Sequence, residues 1–406
     1  MSTTIDRDEL NAYADVVLRC GVNLEPEQKL LLMGSVDHSD LIAALAERAY
    51  SHGAAVVHTL YYDDRVQRAQ ATHAPSDELA CDVAPWLAPA VDVAIEERWA
   101  SIDTVGDTED DPYAGAPAGR VSALRTAISA ELRRHSNARR AWNICVCPSA
   151  GWAQRVYGEP DEARLWADLR FMLRLDEPDP VVAWQARRDE LTAQAARLNE
   201  ASFSAVTFRG AGTDLYVPLH ADAVWMPAEF ATPWGHHFLA NLPTEELFTT
   251  PDFRGVEGTA AATRPTEVHG AMVTDLVLRF EGGRVVDVQA SGHLDAVIAQ
   301  LDQDAQARFL GEVALVDGSS RVGQLGRVFK NILLDENAAC HVAWGQGYVE
   351  PFPDGLPDDD EARIARGVNA SRIHQDMMLG GPDVSVFGVT AAGDEVPVLI
   401  ADAWQI

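Results

Sequence analysis

Positive charge is scarce in this 406-residue chain. Lys29 and Lys330 are its only lysines, and 32 lysine and arginine residues stand against 62 aspartate and glutamate residues, which gives a formal net charge of −30. A surface with this much negative charge repels phosphate backbones and anionic lipids. We therefore expect no nucleic acid and no membrane among the partners of the protein.

Long apolar runs are also missing, and cysteine is rare. No stretch approaches the about 18 uninterrupted apolar residues that a membrane-spanning helix needs, and the acidic, polar first residues are not typical of a signal peptide. The cysteines are an odd, scattered set of five, which fits reduced thiols: Cys20, Cys81, Cys145, Cys147 and Cys340. These absences predict a cytoplasmic protein.

Two familiar binding signatures are absent as well. No Gly-x-Gly-x-x-Gly follows a predicted strand, which argues against a dinucleotide site. Cys145 and Cys147 have no second cysteine pair and no nearby histidine that would complete a zinc spacing. Alternation along a buried strand is the simpler explanation of this pair.

Strands and helices alternate in the first half of the chain. Hydrophobic periodicity predicts strands at 29–33, 55–61, 91–95 and 142–147, and helices at 6–20, 39–50, 120–134, 161–174 and 181–199. This alternation favours an α/β domain with an open, largely parallel sheet. From residue 203 the pattern changes to short strands with tight turns, such as Glu281-Gly-Gly283. We predict two domains, an N-terminal α/β domain over residues 1–202 and a strand-rich α+β C-terminal domain over residues 203–406.

Carboxylates and imidazoles cluster in four short segments of the second half. They contain Glu245 and Glu246; Glu312; Glu336, His341 and Tyr348; and His374 and Asp376. Each segment also has a plain structural explanation: a solvated glutamate pair, a strand-edge glutamate, an exposed helix end, and a histidine bonded to its neighbouring aspartate.

Local spacing indicates how these side chains point. In an extended segment successive side chains face opposite ways, so only one of Glu245 and Glu246 can face a given site. On a strand His374 and Asp376 share one face because they are two residues apart. The glycine before Glu312 would let another backbone or a ligand approach closely.

Gathered in one place, these groups require cations. Glu246, Glu312, Glu336 and Asp376 together would carry four negative charges that repel one another, and two divalent cations would balance them. A thiol-free set of carboxylates with two imidazoles suits zinc, cobalt or manganese. Two ions sharing a bridging carboxylate and a bridging water are a common arrangement in hydrolases.

In these segments the chain resembles the aminopeptidase T and aminopeptidase S (PepS) family of dinuclear metallo-aminopeptidases, the thermophilic-type metalloproteases. The matching stretches share order and spacing: Asn241-Leu-Pro-Thr-Glu-Glu-Leu-Phe-Thr-Thr-Pro251, Gly311-Glu312, Asp335-Glu-Asn-Ala-Ala-Cys-His341 and Ile373-His-Gln-Asp-Met-Met-Leu-Gly-Gly381. The resemblance spans most of the chain and is weaker in the first half.

The resemblance implies metal ligands at the matching positions. It selects Glu246 over Glu245, and the implied set is Glu246, Glu312, Glu336, His341, His374 and Asp376. It also implies that Tyr348 lies at the metals, that the C-terminal domain is the catalytic metal-binding domain, and that the protein is a homodimer. The pair His236-His237 matches no ligand of the family.

The resulting hypothesis is a cytoplasmic aminopeptidase that releases N-terminal amino acids from short peptides, using water activated by two metal ions. Glu312 would bridge the ions and is also the candidate proton carrier, two roles that compete, and Tyr348 would stabilise the oxyanion. The alternatives are an amide hydrolase for a specialised small substrate, a mononuclear iron ring-opening dioxygenase of the same fold, and a scaffold without activity. His341, His374 and Asp376 could serve the iron.

Overall fold

A computed structural model describes residues 5–107, 109, 112–133 and 140–406. The chain forms two compact units. The first comprises Met1–Ala186 and Glu229–Pro243, and the second comprises Arg187–Ala228 and Thr244–Ile406. A segment from the second half of the sequence therefore belongs to the first unit. The domain boundary after residue 202 stays a prediction.

The described residues form thirteen α-helices, and in this part of the chain no helix is both long and apolar enough to cross a membrane. Their bounds are α1 Arg7–Val16, α2 Ser39–Ser51, α3 Asp64–His73, α4 Asp77–Ala80, α5 Leu87–Glu96, α6 Ala118–Arg133, α7 Ala150–Tyr157, α8 Glu162–Met172, α9 Pro180–Ala201, α10 Leu294–Leu301, α11 Arg321–Gln324, α12 Ile332–Asp335 and α13 Asp360–Arg366. The helix predicted at 120–134 is α6, and residue 134 lies outside the described residues.

The described residues form twenty-two β-strands, and the strands of the first half of the chain are longer than most of the others. Their bounds are β1 Lys29–Ser35, β2 Val56–Tyr62, β3 Ala100–Val105, β4 Trp142–Val146, β5 Ala205–Gly210, β6 Thr213–Pro218, β7 Met226–Pro227, β8 Glu229–Ala231, β9 His237–Leu239, β10 Asn241–Leu242, β11 Leu247–Thr249, β12 Glu257–Ala261, β13 Thr266–Val268, β14 Ala271–Val273, β15 Val277–Glu281, β16 Arg284–Gln289, β17 Leu310–Leu315, β18 His341–Gly345, β19 His374–Met378, β20 Ser385–Val389, β21 Glu395–Ile400 and β22 Ala403–Trp404.

The first unit is built on a five-stranded sheet in the order β10-β4-β3-β1-β2, with every neighbouring pair parallel. Its inner strands are apolar and buried, for example at Leu30, Leu32 and Ile102, as expected where both faces of a parallel sheet are covered. Cys145 is buried on β4, between β3 and β10. The predicted parallel sheet is confirmed.

One predicted strand of this sheet is wrong. Residues 91–95 lie within α5, and the third strand is β3, which the periodicity did not predict. Leu87, Val91 and Ala94 are buried along one side of α5, four and three residues apart. A five-residue apolar alternation fits that helical spacing as well as it fits a strand, so the pattern could not discriminate.

The second unit contains two larger antiparallel sheets. One has the order β19-β18-β17-β11-β7, and the other has the order β16-β15-β12-β6-β5-β20-β21-β22. The hairpin between β15 and β16 turns at Gly282 and Gly283, whose φ angles of 54° and 80° suit a two-residue turn that side chains would strain. The predicted strand-rich α+β architecture is confirmed.

Candidate metal centre

Neighbouring strands of the five-stranded antiparallel sheet bring the predicted site residues together. Glu312 pairs with Ala343 on β18, and Ala343 pairs with Asp376 on β19, so the two carboxylates flank a buried alanine on one face. The methyl group of Ala343 leaves room between them, a feature that the sequence analysis did not single out. His341 and His374 lie on the same face, because each is two residues from a member of this row.

Two groups of side chains on this face could each hold a cation. Glu246, Glu312 and His341 form one, and Glu312, His374 and Asp376 form the other, with the ligand atoms of each group within 4.8 Å of one another. The closest contacts are 3.3 Å from His341 Nε2 to Glu246 Oε2 and 3.1 Å from His374 Nε2 to Glu312 Oε2. Glu312 therefore belongs to both groups.

Backbone carbonyls orient both imidazoles. Nδ1 of His374 lies 2.8 Å from the carbonyl oxygen of Gln346, and Nδ1 of His341 lies 3.2 Å from that of Ala339. A carbonyl oxygen can only accept, so each Nδ1 carries the hydrogen and each Nε2 is left to face the carboxylates. In this orientation Nε2 is the nitrogen available to a metal ion.

Gly311 allows Glu312 its position. The pairing of β17 with β18 has an irregularity between Leu310 and Glu312, and a Cβ at Gly311 would collide with the carbonyl oxygens of Gly345 and Gln346. The close backbone approach predicted from this glycine is present. It lets the strand bulge and turn the carboxylate of Glu312 toward the imidazoles.

The electrostatics of the site favour positive charge between the carboxylates. Burial raises the pKa of Glu312 and of Glu336, and the charges of Glu246 and Asp376 raise that of Glu336 further. Burial alone would lower the pKa of His341, but the neighbouring Glu246 carboxylate raises it to about 10. The carboxylates thus draw in protons or other cations.

Two buried oxygens test whether the residues fit a metal. Oε2 of Glu246 and Oδ1 of Asp376 are buried and have no hydrogen-bond partner, although imidazole nitrogens lie 3.3 Å and 3.4 Å away. A buried carboxylate oxygen without a partner is costly, and a metal ion would satisfy it. The donors are carboxylate oxygens and imidazole nitrogens, which suit a divalent cation such as zinc, cobalt or manganese. The residues fit a metal site.

Tyr348 stands at the edge of this site. Its hydroxyl lies 3.3 Å from His374 Nε2, and its side chain is 38% exposed. Phe248 of β11 and Thr250, the residue after this strand, hold it: the ring packs edge-on against Phe248, and Thr250 Oγ1 donates a hydrogen bond to the carbonyl oxygen of Tyr348. The strand that follows Glu246 therefore also positions the phenol.

Glu336 is near both groups but belongs to neither. It lies in a 3₁₀ turn, Glu336–Ala338, and is half-buried. The charges of Glu246, Asp376 and Glu312 that act on its carboxyl indicate that it faces the same space. It is the predicted ligand that the geometry supports least directly.

Three other predicted or noted residues point elsewhere. Glu245 contacts Arg187 at 2.7 Å, so the adjacent glutamates do face different ways, as the extended segment predicts. His236 is buried in the first unit with Nε2 2.8 Å from the carbonyl oxygen of Val22. His237, also in that unit, is exposed. Neither histidine belongs to the two groups.

The antiparallel sheet of the second unit gathers carboxylates and imidazoles around a shared glutamate, in a chain that also contains a parallel-sheet unit, and this combination is typical of a metal-dependent enzyme. Comparison with known proteins identifies the family. The profile of the thermophilic metalloprotease family (M29) matches residues 6–404, and the chain belongs to this family.

Individual relatives match over nearly their whole lengths. The chain is 38% identical to "Aminopeptidase T" of Thermus aquaticus, covering 98% of this chain and 99% of that protein. It is 31% identical to "Aminopeptidase AmpS" of Bacillus subtilis (strain 168), covering 98% of each. The solved structure "Wild-type AmpT from Thermus thermophilus" superposes with a TM-score of 0.89 at 32% identity, covering 98% of this chain and 100% of that chain. The predicted family, fold and class, a metal-dependent hydrolase, are confirmed.

Proposed function

We propose that the protein is a metal-dependent aminopeptidase that releases N-terminal amino acids from short peptides at a site for two divalent ions. The observation that carries this proposal is the sharing of Glu312 by two carboxylate–imidazole groups, since a shared carboxylate is how paired metal ions are commonly held. The names of the relatives, aminopeptidase T and AmpS, support the choice of reaction.

Each group would hold one ion. Glu246 and His341 would serve one position, His374 and Asp376 the other, and Glu312 both. Glu336 would be the further ligand, because the charges of Glu246, Asp376 and Glu312 act on its carboxyl. When bound, the ions supply Lewis acidity, which polarises the scissile carbonyl and makes water a stronger nucleophile near neutral pH.

The remaining chemistry falls to side chains. A carboxylate must carry a proton from the attacking water to the leaving amine, and we assign this to Glu312, which lies where the two groups meet. Because ion binding and proton transfer compete for its two oxygens, Glu312 can carry the proton only through an oxygen that no ion holds. The hydroxyl of Tyr348, beside His374 and reachable from solvent, donates a hydrogen bond to the oxyanion that forms on the scissile carbonyl.

The residues of the site argue against the iron dioxygenase more strongly than against the amide hydrolase. An iron dioxygenase needs only His341, His374 and Asp376, whereas the same face also carries Glu246 and Glu312. An amide hydrolase for a specialised small substrate would use the same site, so only substrate tests separate it from a peptidase. The cytoplasmic location, the homodimer and the choice among zinc, cobalt and manganese stay predictions.

The decisive experiment measures metal and activity together. Protein purified without chelator is analysed for metal per chain by mass spectrometry, and cleavage of dipeptides and of Leu-p-nitroanilide is followed after cobalt or zinc addition. We expect about two ions per chain and N-terminal cleavage. Two ions without peptide cleavage would indicate the amide hydrolase, and a single iron would indicate the dioxygenase.

Glu312→Gln tests the assigned role within the same assay. It should lower kcat by about 10²–10⁴-fold, the usual contribution of a positioned proton carrier, while circular dichroism stays unchanged. Glu281→Gln, on the exposed hairpin turn, serves as the matched control with wild-type activity. Normal turnover in Glu312→Gln would contradict the proposal.

A further inference from the structure

Glu245, the neighbour of Glu246, is held at both its side chain and its backbone. Its carboxylate accepts a hydrogen bond from Arg187 Nε at 2.7 Å, and its backbone N–H donates to Asn337 Oδ1 at 2.6 Å. The Glu245 side chain is fully buried. We call Arg187, Glu245 and Asn337 the Glu245 clamp.

Arg187 is itself fixed in place. It lies in the part of α9 that belongs to the second unit, its side chain is 9% exposed, and its guanidinium reaches Glu190 at 3.3 Å and Asp317 at 3.5 Å. Asp317 follows β17, the strand that carries Glu312. The guanidinium therefore links the segment of Glu246 to the end of the strand that carries the shared glutamate.

Asn337 links the same segment to Glu336. Its Oδ1 faces an N–H and its Nδ2 donates to the carbonyl oxygen of Leu333 at 2.9 Å, so the chemistry of both partners sets the orientation of the amide. Nδ2 also lies 3.5 Å from Oε1 of Glu336. The carbonyl oxygen of Asn337 accepts a hydrogen bond from Ser320 Oγ at 2.6 Å, which anchors the turn.

We propose that the Glu245 clamp positions Glu246 and Glu336 for metal binding. Successive side chains of an extended segment point opposite ways, so fixing Glu245 on one side aims Glu246 at the other. The carboxylates of the site repel one another, and a loosely held Glu246 would swing away from Glu312. The Glu245 clamp opposes this movement. The ion pair with Arg187 also holds the charged Glu245 side chain outside the metal site.

Arg187, Glu245 and Asn337 are thus positioning residues, and this inference rests on the proposed function. Partners that orient metal-binding side chains typically contribute 10–100-fold to metal affinity. A clamp that served only to stabilise the fold would change the melting temperature of the metal-free protein and leave metal affinity alone. The experiment therefore measures both quantities.

The first variants compare two asparagines that bond the backbone in the same way. Asn337→Leu removes the amide of the clamp. Asn199→Leu removes an amide that donates to the carbonyl of Trp225 and accepts from its N–H, both at 2.8 Å, and that contacts no residue of the two groups.

Cobalt(II) is titrated into metal-free protein by calorimetry, and its visible absorption reports the coordination. We expect Asn337→Leu to weaken cobalt binding about 10–100-fold and to change the spectrum. Asn199→Leu should alter only the melting temperature.

The second set separates positioning from stability at the ion pair. Arg187→Met takes the guanidinium away from the buried Glu245 carboxylate. The double variant Arg187→Met/Glu245→Met replaces both charged groups by apolar ones, which is often neutral for stability. We expect the double variant to regain melting temperature but not cobalt affinity. Arg187→Lys keeps a positive charge but lacks the planar guanidinium. Its cobalt affinity should lie between those of the wild type and Arg187→Met. Arg188→Met, on the exposed side of the same helix, is the matched control.

Wild-type titration separates the two proposals. Suppose that the wild-type protein binds two cobalt ions, and that Asn337→Leu and Arg187→Lys both fold and bind them with wild-type affinity. The positioning role of the Glu245 clamp is then wrong, and the proposed function stands. If the wild-type protein binds no cobalt, both are overturned. Should Asn337→Leu fail to fold, Arg187→Lys and the double variant decide the question.

Discussion

Tyr348 is partly exposed at the edge of the candidate metal site, and its hydroxyl reaches one of the imidazoles. Its hydroxyl contacts His374 Nε2 at 3.3 Å, and Phe248 and Thr250 hold its ring and backbone. A phenol held in this way can donate a hydrogen bond without first being ordered, which is what stabilisation of an oxyanion requires. Its role is separable from metal binding.

Tyr348→Phe keeps the ring against Phe248 and removes only the hydroxyl. We expect kcat for peptide hydrolysis to fall about 10²–10³-fold, the usual effect of losing one oxyanion donor, with metal content unchanged. Steady-state kinetics and metal analysis on the same preparation check this. An unchanged kcat would remove Tyr348 from the mechanism, and a loss of metal would make it structural.

Gly311 shows how one strand sets the site at the scale of an element. The irregular pairing of β17 with β18 depends on close contact between Gly311 and the backbone of Gly345 and Gln346. Any side chain at this position must push the two strands apart. The strands that would separate carry Glu312 and His341.

Gly311→Ala should therefore destabilise the protein by about 1–3 kcal/mol, as overpacking of a tight interior does, and reduce metal affinity as well. Urea unfolding and cobalt titration measure the two effects. Gly119→Ala in α6 is the control, because a Cβ there meets nothing within 4 Å, and it should be neutral or slightly stabilising. Equal behaviour of the two variants would contradict the role assigned to Gly311.

His38 is a second element-scale feature, in the 3₁₀ turn Val36–His38 that follows β1 of the parallel sheet. It is 1% exposed, its Nδ1 lies 3.0 Å from Thr104 Oγ1 on β3, and its Nε2 has no hydrogen-bond partner. Burial lowers the pKa of His38 below its usual 6.5. The folded protein therefore keeps this imidazole neutral where the unfolded chain would protonate it.

The sign of the resulting pH dependence follows directly. Below about pH 6.5 the unfolded chain binds a proton that the folded chain does not, so His38 makes the free energy of unfolding fall as the pH drops toward its folded pKa. His38→Gln should lose less stability than the wild type between about pH 8 and pH 5.5. Urea unfolding at both pH values measures this, with the exposed His237→Gln as control. An identical loss in wild type and His38→Gln would refute it.

The whole molecule is strongly acidic, with 62 acidic against 32 basic residues. Such a net charge destabilises the compact state through self-repulsion and keeps the protein soluble. Many arginines are paired with acidic neighbours, as in the contact of Arg48 with Asp15 at 2.7 Å, so the excess charge is spread over the remaining carboxylates. Salt should relieve that repulsion.

Raising the sodium chloride concentration from about 0.01 M to 1 M shortens the screening length from about 30 Å to 3 Å. We expect the melting temperature of the metal-free protein to rise over this range, because repulsion among the excess carboxylates outweighs the weak attraction within the exposed ion pairs. Differential scanning calorimetry without sulfate or phosphate, which stabilise proteins by exclusion, measures the change. A falling melting temperature would show that ion pairs dominate instead.

The sequence by itself determined the features that depend on near neighbours. The spacing of His374 and Asp376 placed them on one strand face. Gly311 predicted a close backbone approach, because glycine has no Cβ. Alternation of side chains allowed only one of Glu245 and Glu246 to face a site. Side-chain direction in a strand follows from position alone, so these inferences needed no tertiary structure. The resemblance to the metallopeptidase family then selected Glu246.

Tertiary structure decided what depends on residues far apart in the chain. Residues 91–95 fit a helix and a strand equally well, and only the fold, which buries Leu87, Val91 and Ala94 along one side of α5, decides for the helix. Arg187 and Asn337 contact Glu245 from 58 and 92 residues away, and Ala343 separates Glu312 from Asp376 only because three strands align in register. Such contacts follow from the folding of the whole chain, because a short-range pattern records spacing along the sequence but not which distant residue comes to lie beside it.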